Sequence, residues 1–336
     1  MSRKVKIAVI GTGRMGSIHA RNIARLIPEG DLVAVCDIKL DVAQAVADEL
    51  GILRVVKDYH DLLADKDIEA VLIASSTDTH DFIMRDAAQA GKHIFCEKPL
   101  ALELPKIDAA LQVVGKSGVK LQVGFNRRFD KSFRRVHEIV HSGKIGHPCI
   151  LRITNRDPDF PSLDFLRVSG GIFLDLSIHY FDMVRYQLGD VEEIYAAGSA
   201  LVNKELKEFG DVDTAVVILK FANGAFGTID NSRKAVYGYD QRLEVFCSNG
   251  TAMANNEAET TILQGDTEGF HSAKPPYFFM QRYATCYVEE VRQFIECVLQ
   301  DKPTPVSGAD GRAAVVLGYA AWKSLRENRP VRLSEI

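Results

Sequence analysis

The feature that most constrains this chain is the alternation of short apolar runs with helix-forming stretches over its first 124 residues. Lys6–Ile10, Leu32–Cys36, Ala70–Ala74, His93–Cys96 and Lys120–Val123 are each four or five residues long. Between them lie helical stretches at Arg14 to about Leu26, Val42–Leu50, His80–Ala90 and Leu104–Lys116. Such alternation predicts a parallel sheet buried under helices on both faces. Gly91 and Gly118 stand just past two helix ends, where a left-handed cap is wanted. After Gly124 the rhythm changes. Cys149–Thr154, Glu193–Ser199, Ala215–Phe221, Ala225–Asn231 and Arg242–Cys247 follow one another with little helix between, predicting a mostly antiparallel sheet. Asn223-Gly224 predicts a type I′ hairpin. Two helices are expected near Tyr283–Leu299 and Gly308–Glu327. The expected division is 1–124 and 125–336, since 336 residues are long for one core.

Composition narrows the function. Hydrophobic residues make up 46% and charged residues 26% of the chain, which is ordinary for a globular protein. A formal net charge of -4 supplies no global field for nucleic acid or anionic lipid, so neither is expected as a partner. No apolar stretch approaches the roughly 20 residues that span a bilayer, and the run Ile7–Ile10 is too short for a signal-peptide core. The six cysteines, Cys36, Cys96, Cys149, Cys247, Cys286 and Cys297, form no C-x-x-C pair. That argues against a disulfide framework or a zinc site and fits a cytoplasmic protein.

Gly11-Thr12-Gly13-Arg14-Met15-Gly16 fits G-x-G-x-x-G, follows an apolar strand and opens a helix, the context in which this pattern binds a dinucleotide. Gly11 permits the turn, Gly13 admits a pyrophosphate, and Gly16 lets helix and strand pack closely. The helix N-terminus offers N–H groups to the phosphates. Asp37 ends the second strand about twenty residues on, where a carboxylate accepts from ribose hydroxyls and repels a 2′-phosphate. NAD is therefore expected over NADP. Asp37 would also serve as a cap for the next helix. Ser75, Ser76, Thr77 and His80 lie at the carboxyl end of a parallel strand, where ligands bind in such sheets. Their hydroxyls suit the ribose-nicotinamide side and suit a helix cap equally.

Glu97-Lys98-Pro99 follows another strand of that sheet. A lysine there can hold a substrate hydroxyl and polarise the oxygen as a carbonyl forms, although most lysines are simply solvated. In Gly170–Asp182, read as one helix, Asp175, His179 and Asp182 fall at i, i+4 and i+7 on one face. Alcohol oxidation removes a hydroxyl proton while hydride leaves carbon. A histidine can take that proton, and a carboxylate one turn away can orient its ring. An ordinary solvated Asp/His face gives the same pattern.

The order of the glycine loop, Glu97-Lys98-Pro99 and the Gly170-Gly171…Asp175…His179 segment resembles the Gfo/Idh/MocA family of sugar and polyol dehydrogenases. Val123-Gly124-Phe125-Asn126-Arg127-Arg128-Phe129-Asp130, Arg156-Asp157-Pro158, Asp230-Asn231-Ser232-Arg233 and Tyr237-Gly238-Tyr239-Asp240-Gln241-Arg242 are similar to its inositol-oxidising branch. The resemblance implies an α/β chain: an N-terminal Rossmann domain that binds NAD, then a C-terminal α/β domain with a large open, mostly antiparallel sheet. That sheet commonly forms the face of a homodimer or homotetramer. Lys98, Asp175 and His179 are implied as the catalytic group, with Glu97 and Lys98 also near the cofactor. Asn126, Arg127, Asn155, Asp157 and Tyr237 fall at positions that contact polyol hydroxyls, as Lys98, Asp175 and His179 also do. The implied reaction is NAD-dependent oxidation of myo-inositol to 2-keto-myo-inositol, without a metal; scyllo- or chiro-inositol and an aldopyranose are the alternative substrates, and a non-catalytic NAD-sensing regulator is the remote alternative. The chain departs from its relatives at Asp159-Phe160-Pro161-Ser162-Leu163 and at Tyr180, where isomer preference is expected to be set.

Overall fold

Six parallel strands form the first sheet of the computed structural model, which describes residues 3–336. They are β1 (Val5–Ile10), β2 (Gly30–Cys36), β3 (Val55–Val56), β4 (Ala70–Ile73), β5 (His93–Glu97) and β6 (Leu121–Gly124), in the order β3-β2-β1-β4-β5-β6. One row of the register runs Cys36, Ile10, Ile73, Cys96, Val123 across five strands. The strand ends are therefore level, and the residues that follow each strand (Gly11, Asp37, Ser75, Glu97-Lys98) gather along one edge. This edge is the carboxyl end of a doubly wound sheet whose order reverses between β1 and β4.

The helix Ala284–Gln300 belongs to this unit, which comprises residues up to Asn126 together with Thr285–Ala313. Val291, Phe294, Ile295 and Val298 of that helix pack with Val5, Ile7, Leu32, Leu72 and Phe95 in one core. Their i, i+3, i+4, i+7 spacing makes one apolar stripe. Full burial of each such side chain contributes about 1.5–3 kcal/mol.

The second unit, Arg127–Ala284 with Ala314–Ile336, is built on seven strands. They are β7 (Pro148–Arg156), β8 (Val191–Ser199), β9 (Thr214–Phe221), β10 (Phe226–Ser232), β11 (Asp240–Cys247), β12 (Gly250–Ala254) and, after the separate hairpin β13 (Leu263–Asp266) and β14 (Gly269–Ser272), β15 (Val331–Arg332). Their order is β12-β11-β7-β10-β9-β8-β15, antiparallel at every pairing except β7 with β10. Burial alternates strictly along β9, so one face is core and the other faces solvent. That open face carries Val216, Ile218, Phe226, Phe246 and Met253, all exposed.

Two local expectations are corrected. The β9–β10 hairpin exists, but Phe221 N–H donates to Ala225 O at 2.9 Å, which leaves a three-residue loop, Ala222-Asn223-Gly224. Only Gly224 in it is left-handed (φ 88°), whereas type I′ needs two such residues. The Gly170–Asp182 segment is two helices, Gly171–Asp175 and Ile178–Leu188, broken at Leu176-Ser177.

Replacing Phe294 by Ala should lower unfolding free energy by about 3–5 kcal/mol. Denaturant unfolding followed by fluorescence checks this. A loss below about 1 kcal/mol would contradict the packing of this helix in the first core.

Candidate active site

In the first unit the glycine loop is a tight junction. Gly11 N–H donates to Cys36 O at 2.8 Å and Ala74 N–H to Ile10 O at 2.8 Å. Gly11 has φ 87°, and a Cβ there would lie 2.5 Å from Ser75 N. A Cβ at Gly16 would lie 1.7 Å from Gly11 O, so only glycine lets the helix Arg14–Leu26 start this close to the strand. Gly13 differs: a Cβ there meets nothing within 4 Å. It is the N-cap of the helix and supplies no side-chain cap, and the space a Cβ would take there is open beside the exposed Arg14 and half-buried Met15. This is the space and the donor set that a pyrophosphate needs.

The half-buried Asp37 is aimed at this loop. Its Oδ2 accepts from Thr12 N at 2.8 Å and Thr12 Oγ1 at 3.1 Å, while Oδ1 accepts from Lys39 N at 2.9 Å. The N-cap of the next helix is Lys39, not Asp37. After β4, Ser75 Oγ donates to Thr79 Oγ1 at 2.6 Å, and Thr79 Oγ1 donates to Ser76 O at 2.7 Å. Thr77 opens the short 3-10 turn Thr77–Thr79. His80 is buried, with Nδ1 2.8 Å from Pro99 O and Nε2 3.1 Å from Ser75 O. Burial holds its pKa below the usual histidine value. His80 thus ties the loop after β4 to the loop that carries Lys98.

Glu97 ends β5 inside the protein. Its Oε1 is 2.7 Å from His19 Nε2, and its Oε2 accepts from Lys98 N at 3.2 Å. Lys98 is half-buried, and the Lys98-Pro99 peptide is cis. His19 and its neighbour Glu290 were not singled out in the sequence. The signal for His19 was available: it shares the buried helix face with Gly16, Ala20 and Ile23, where a polar side chain needs a partner.

In the second unit the break at Leu176-Ser177 decides which side chains reach solvent. From Gly171 to Val184 every residue is buried except Asp175 and His179. Gly170 and Gly171 are both left-handed, and a Cβ on Gly171 would strike Trp322 Cζ2 at 2.5 Å and Asp211 Oδ1 at 2.8 Å. That approach lets Asp211 accept from Ile172 N at 2.9 Å and start the first short helix. Ser177 N–H still donates to Ile172 O, while its hydroxyl donates to Asn231 Oδ1 at 2.9 Å on β10. Asp175 accepts from Arg233 Nη1 at 3.1 Å, and Arg233 is wholly buried. Asp182, expected on the same polar stripe, is buried instead and binds Arg128 Nε at 2.8 Å. The stripe is therefore two residues, because Asp182, in the same helix as His179, is drawn inward by its pairing with Arg128.

The remaining candidates separate by what already surrounds them. Asn126 is buried, and neither amide atom has a hydrogen-bond partner among the described residues. Asn155 donates to Asn231 Oδ1 at 2.8 Å, but its own Oδ1 is buried without a hydrogen-bond partner among the described residues. Such atoms cost roughly 1–3 kcal/mol each unless a ligand or water completes them. Asp157 is half-buried at the end of β7, with its backbone held by Ser232 and Ala235. The Arg127 guanidinium lies 4.8 Å from the Tyr180 ring centroid and 5.1 Å from that of Tyr283, and donates to Tyr239 Oη at 2.8 Å. Burial pushes all three phenols up, so they stay neutral around the cation. Tyr180 is wholly buried and donates to Gln241 Oε1 at 2.6 Å, while Asp159 pairs with Lys234 at 2.7 Å. Tyr237 donates to Asp240 Oδ2 at 2.6 Å and accepts from Arg156 Nη1 at 3.2 Å.

A glycine loop open at Gly13, an acidic residue after β2 hydrogen-bonded to that loop and a doubly wound parallel sheet define a dinucleotide-binding enzyme of the Rossmann class. Residues 5–125 match the family described as "Oxidoreductase family, NAD-binding Rossmann fold" and residues 133–253 match "GFO/IDH/MocA C-terminal domain". The chain is 50% identical over 333 residues to a myo-inositol 2-dehydrogenase of Thermotoga maritima, covering 99% of both. It is 39% identical to an inositol 2-dehydrogenase of Rhizobium meliloti, covering 98% of this chain and 99% of that one. The crystal structure of scyllo-inositol dehydrogenase from Lactobacillus casei with bound NAD(H) and scyllo-inositol superposes with a TM-score of 0.92 at 28% identity, covering 99% of this chain and 100% of that one. The chain belongs to the Gfo/Idh/MocA family and is an NAD-binding oxidoreductase.

A Gly13→Ala variant should fold with an unchanged unfolding midpoint, because the added methyl meets no protein atom. It should weaken NAD binding by about tenfold or more, since the methyl occupies the approach of the pyrophosphate. Isothermal titration calorimetry beside a thermal melt reads both. Unchanged affinity would remove Gly13 from the cofactor site.

Proposed function

We propose that this enzyme oxidises one ring hydroxyl of an inositol to a ketone, with myo-inositol giving 2-keto-myo-inositol as the leading reaction. The observation that carries the reading is the isolation of Asp175 and His179 as the two residues reaching solvent from an otherwise buried segment. The names of the relatives support an inositol as substrate. In this reading residues 1–124, completed by the segment 285–313 packed in their unit, hold the cofactor, and the rest of 125–336 binds substrate and assembles.

NAD supplies the acceptor for hydride when bound. The cofactor contacts are assigned to Gly11, Thr12, Gly13, Arg14, Met15, Gly16 and Asp37, with Ser75, Ser76, Thr77, His80, Glu97 and Lys98 on the nicotinamide side. Lys98 holds the reacting hydroxyl oxygen with its ammonium and steadies negative charge as the carbonyl forms. His179 takes the hydroxyl proton. Asp175, fixed by its ion pair with Arg233, orients the imidazole and stabilises its charged form. Asn126, Asn155 and Asp157 receive further polyol hydroxyls. Arg127 and Tyr237 keep their place among these contacts, with the Tyr237 hydroxyl set by Asp240. No helix among the described residues is long and apolar enough to cross a membrane. The six cysteines are free thiols, which supports a cytoplasmic role in inositol breakdown.

Lys98→Met and His179→Ala should each lower kcat by about 100-fold or more while NADH still binds. NADH formation at neutral pH, measured across myo-, scyllo- and chiro-inositol, glucose, galactose and xylose, tests substrate and residues together. Near-normal kcat in either variant would sink the mechanism. Turnover confined to a hexose would discard inositol.

We further propose a homotetramer, or a homodimer, joined through the open face of the second sheet. The exposed Ile218, Phe226, Phe246 and Met253 on that face support this, since large exposed apolar patches are rare on monomers. Ile218→Asp combined with Phe226→Asp should shift the mass in light scattering to a smaller species. An unchanged mass would exclude this face.

A further inference from the structure

We propose that Glu290 is a positioning residue of the loop that carries Lys98: it presents a proton-bearing carboxyl to the buried Glu97–His19 pair and so steadies the carboxylate to which the Lys98 backbone is bonded. The inference rests on the reading of Lys98 as the group that binds the reacting oxygen.

Three ionisable side chains from three elements converge at this point. Nε2 of His19, on the helix Arg14–Leu26, is 2.7 Å from Glu97 Oε1 at the end of β5. Glu290, on the helix Ala284–Gln300, has one carboxyl oxygen within 4.8 Å of both. Glu290 is wholly buried, and neither of its oxygens has a hydrogen-bond partner among the described residues. Its helix is otherwise apolar on this side, with Val291, Phe294 and Ile295 in the core. The Phe95 and Tyr287 rings stand edge-on to His19 at 5.4 and 5.9 Å, and Gln122 Nε2 is engaged by Glu290 O at 2.7 Å rather than by the carboxyl.

Two adjacent carboxylates with one imidazole cannot both stay ionised out of water. Glu97 already has both oxygens in use, toward His19 Nε2 and the Lys98 N–H. Negative charge is thus best placed on Glu97, and the proton on Glu290. Burial and the Glu97 carboxylate both push the Glu290 pKa well above the usual range. A neutral Glu290 offers an O–H, and in the proposed arrangement that donor turns toward Glu97, one of whose oxygens belongs to the same 4.8 Å cluster. The Lys98 backbone hangs on the other Glu97 oxygen, so loosening Glu97 misaims the ammonium, and a shift of about 1 Å in a catalytic group costs up to about 100-fold.

The test compares Glu290→Gln, which keeps a donor without charge, with Glu290→Leu, which keeps the volume without a donor. Glu290→Gln should retain kcat within about threefold, and Glu290→Leu should lose about tenfold or more with the Kd for NAD unchanged. Infrared difference spectra of the whole enzyme should show a carboxylic-acid carbonyl band at neutral pH that is absent in Glu290→Gln. Equal kcat in the two variants would overturn the proposal, whether both are normal (a filler role) or both impaired (a required charge). So would absence of the band, or a stoichiometric divalent cation in the purified protein that Glu290→Gln loses, since this cluster also has metal-ligand spacing. The band does not depend on what Lys98 does. Full turnover by Lys98→Met would therefore refute the role of Lys98 and leave the state of Glu290 to be read separately.

Discussion

The absence of a side chain at Gly16 is the constraint on which the first unit depends. A methyl group there would lie 1.7 Å from Gly11 O, so the helix Arg14–Leu26 can start where it does only because nothing projects from that position. Its placement has two consequences. The helix N-terminus lies at the open space beside Gly13, and further along the same helix His19 meets Glu97 at 2.7 Å. The dinucleotide loop and the anchor of the Lys98 loop are therefore set by the same helix. His80 adds a second anchor through Pro99. Lys98 thus stands on a loop held from both sides of its backbone, which suits a group whose charge must be aimed.

The second unit solves a different problem. Polar side chains must emerge from a segment that also fills a core. A continuous helix would place Asp175, His179 and Asp182 on one face. The break at Leu176-Ser177, held by Ser177 to Asn231 on β10, puts Asp175 on a different helix from His179 and Asp182. Asp175 goes to Arg233, Asp182 goes inward to Arg128, and His179 keeps its exposure. Asn155 and Asn231 face each other across the parallel pair β7–β10, so strand register and the helix break are coupled by one set of hydrogen bonds.

Much of this was legible in the chain itself. The strand–helix alternation, the glycine loop, Asp37 beside it and the helix Gly308–Glu327 all follow from local pattern, and the structure repeats them with small changes of boundary. Where reading failed, a long-range partner was responsible. The Asn223-Gly224 turn is set by the β9–β10 register rather than by the dipeptide. Tyr180, next to His179 in sequence, is wholly buried against Gln241 and the Arg127 cation, so any effect it has on isomer choice is indirect. Glu290 sits 193 positions beyond Glu97, and no local pattern could link them.

The sequence by itself determined the parallel sheet, the dinucleotide loop that binds NAD, and Lys98, Asp175 and His179 as candidates, because each depends on spacing within one or two elements. Only the tertiary structure decided which carboxylates face solvent, which ion pairs lock them, and that the helix Ala284–Gln300 closes the first core with Glu290 beneath Glu97. Those outcomes depend on which buried polar groups find partners from distant segments, and that is a property of packing rather than of periodicity.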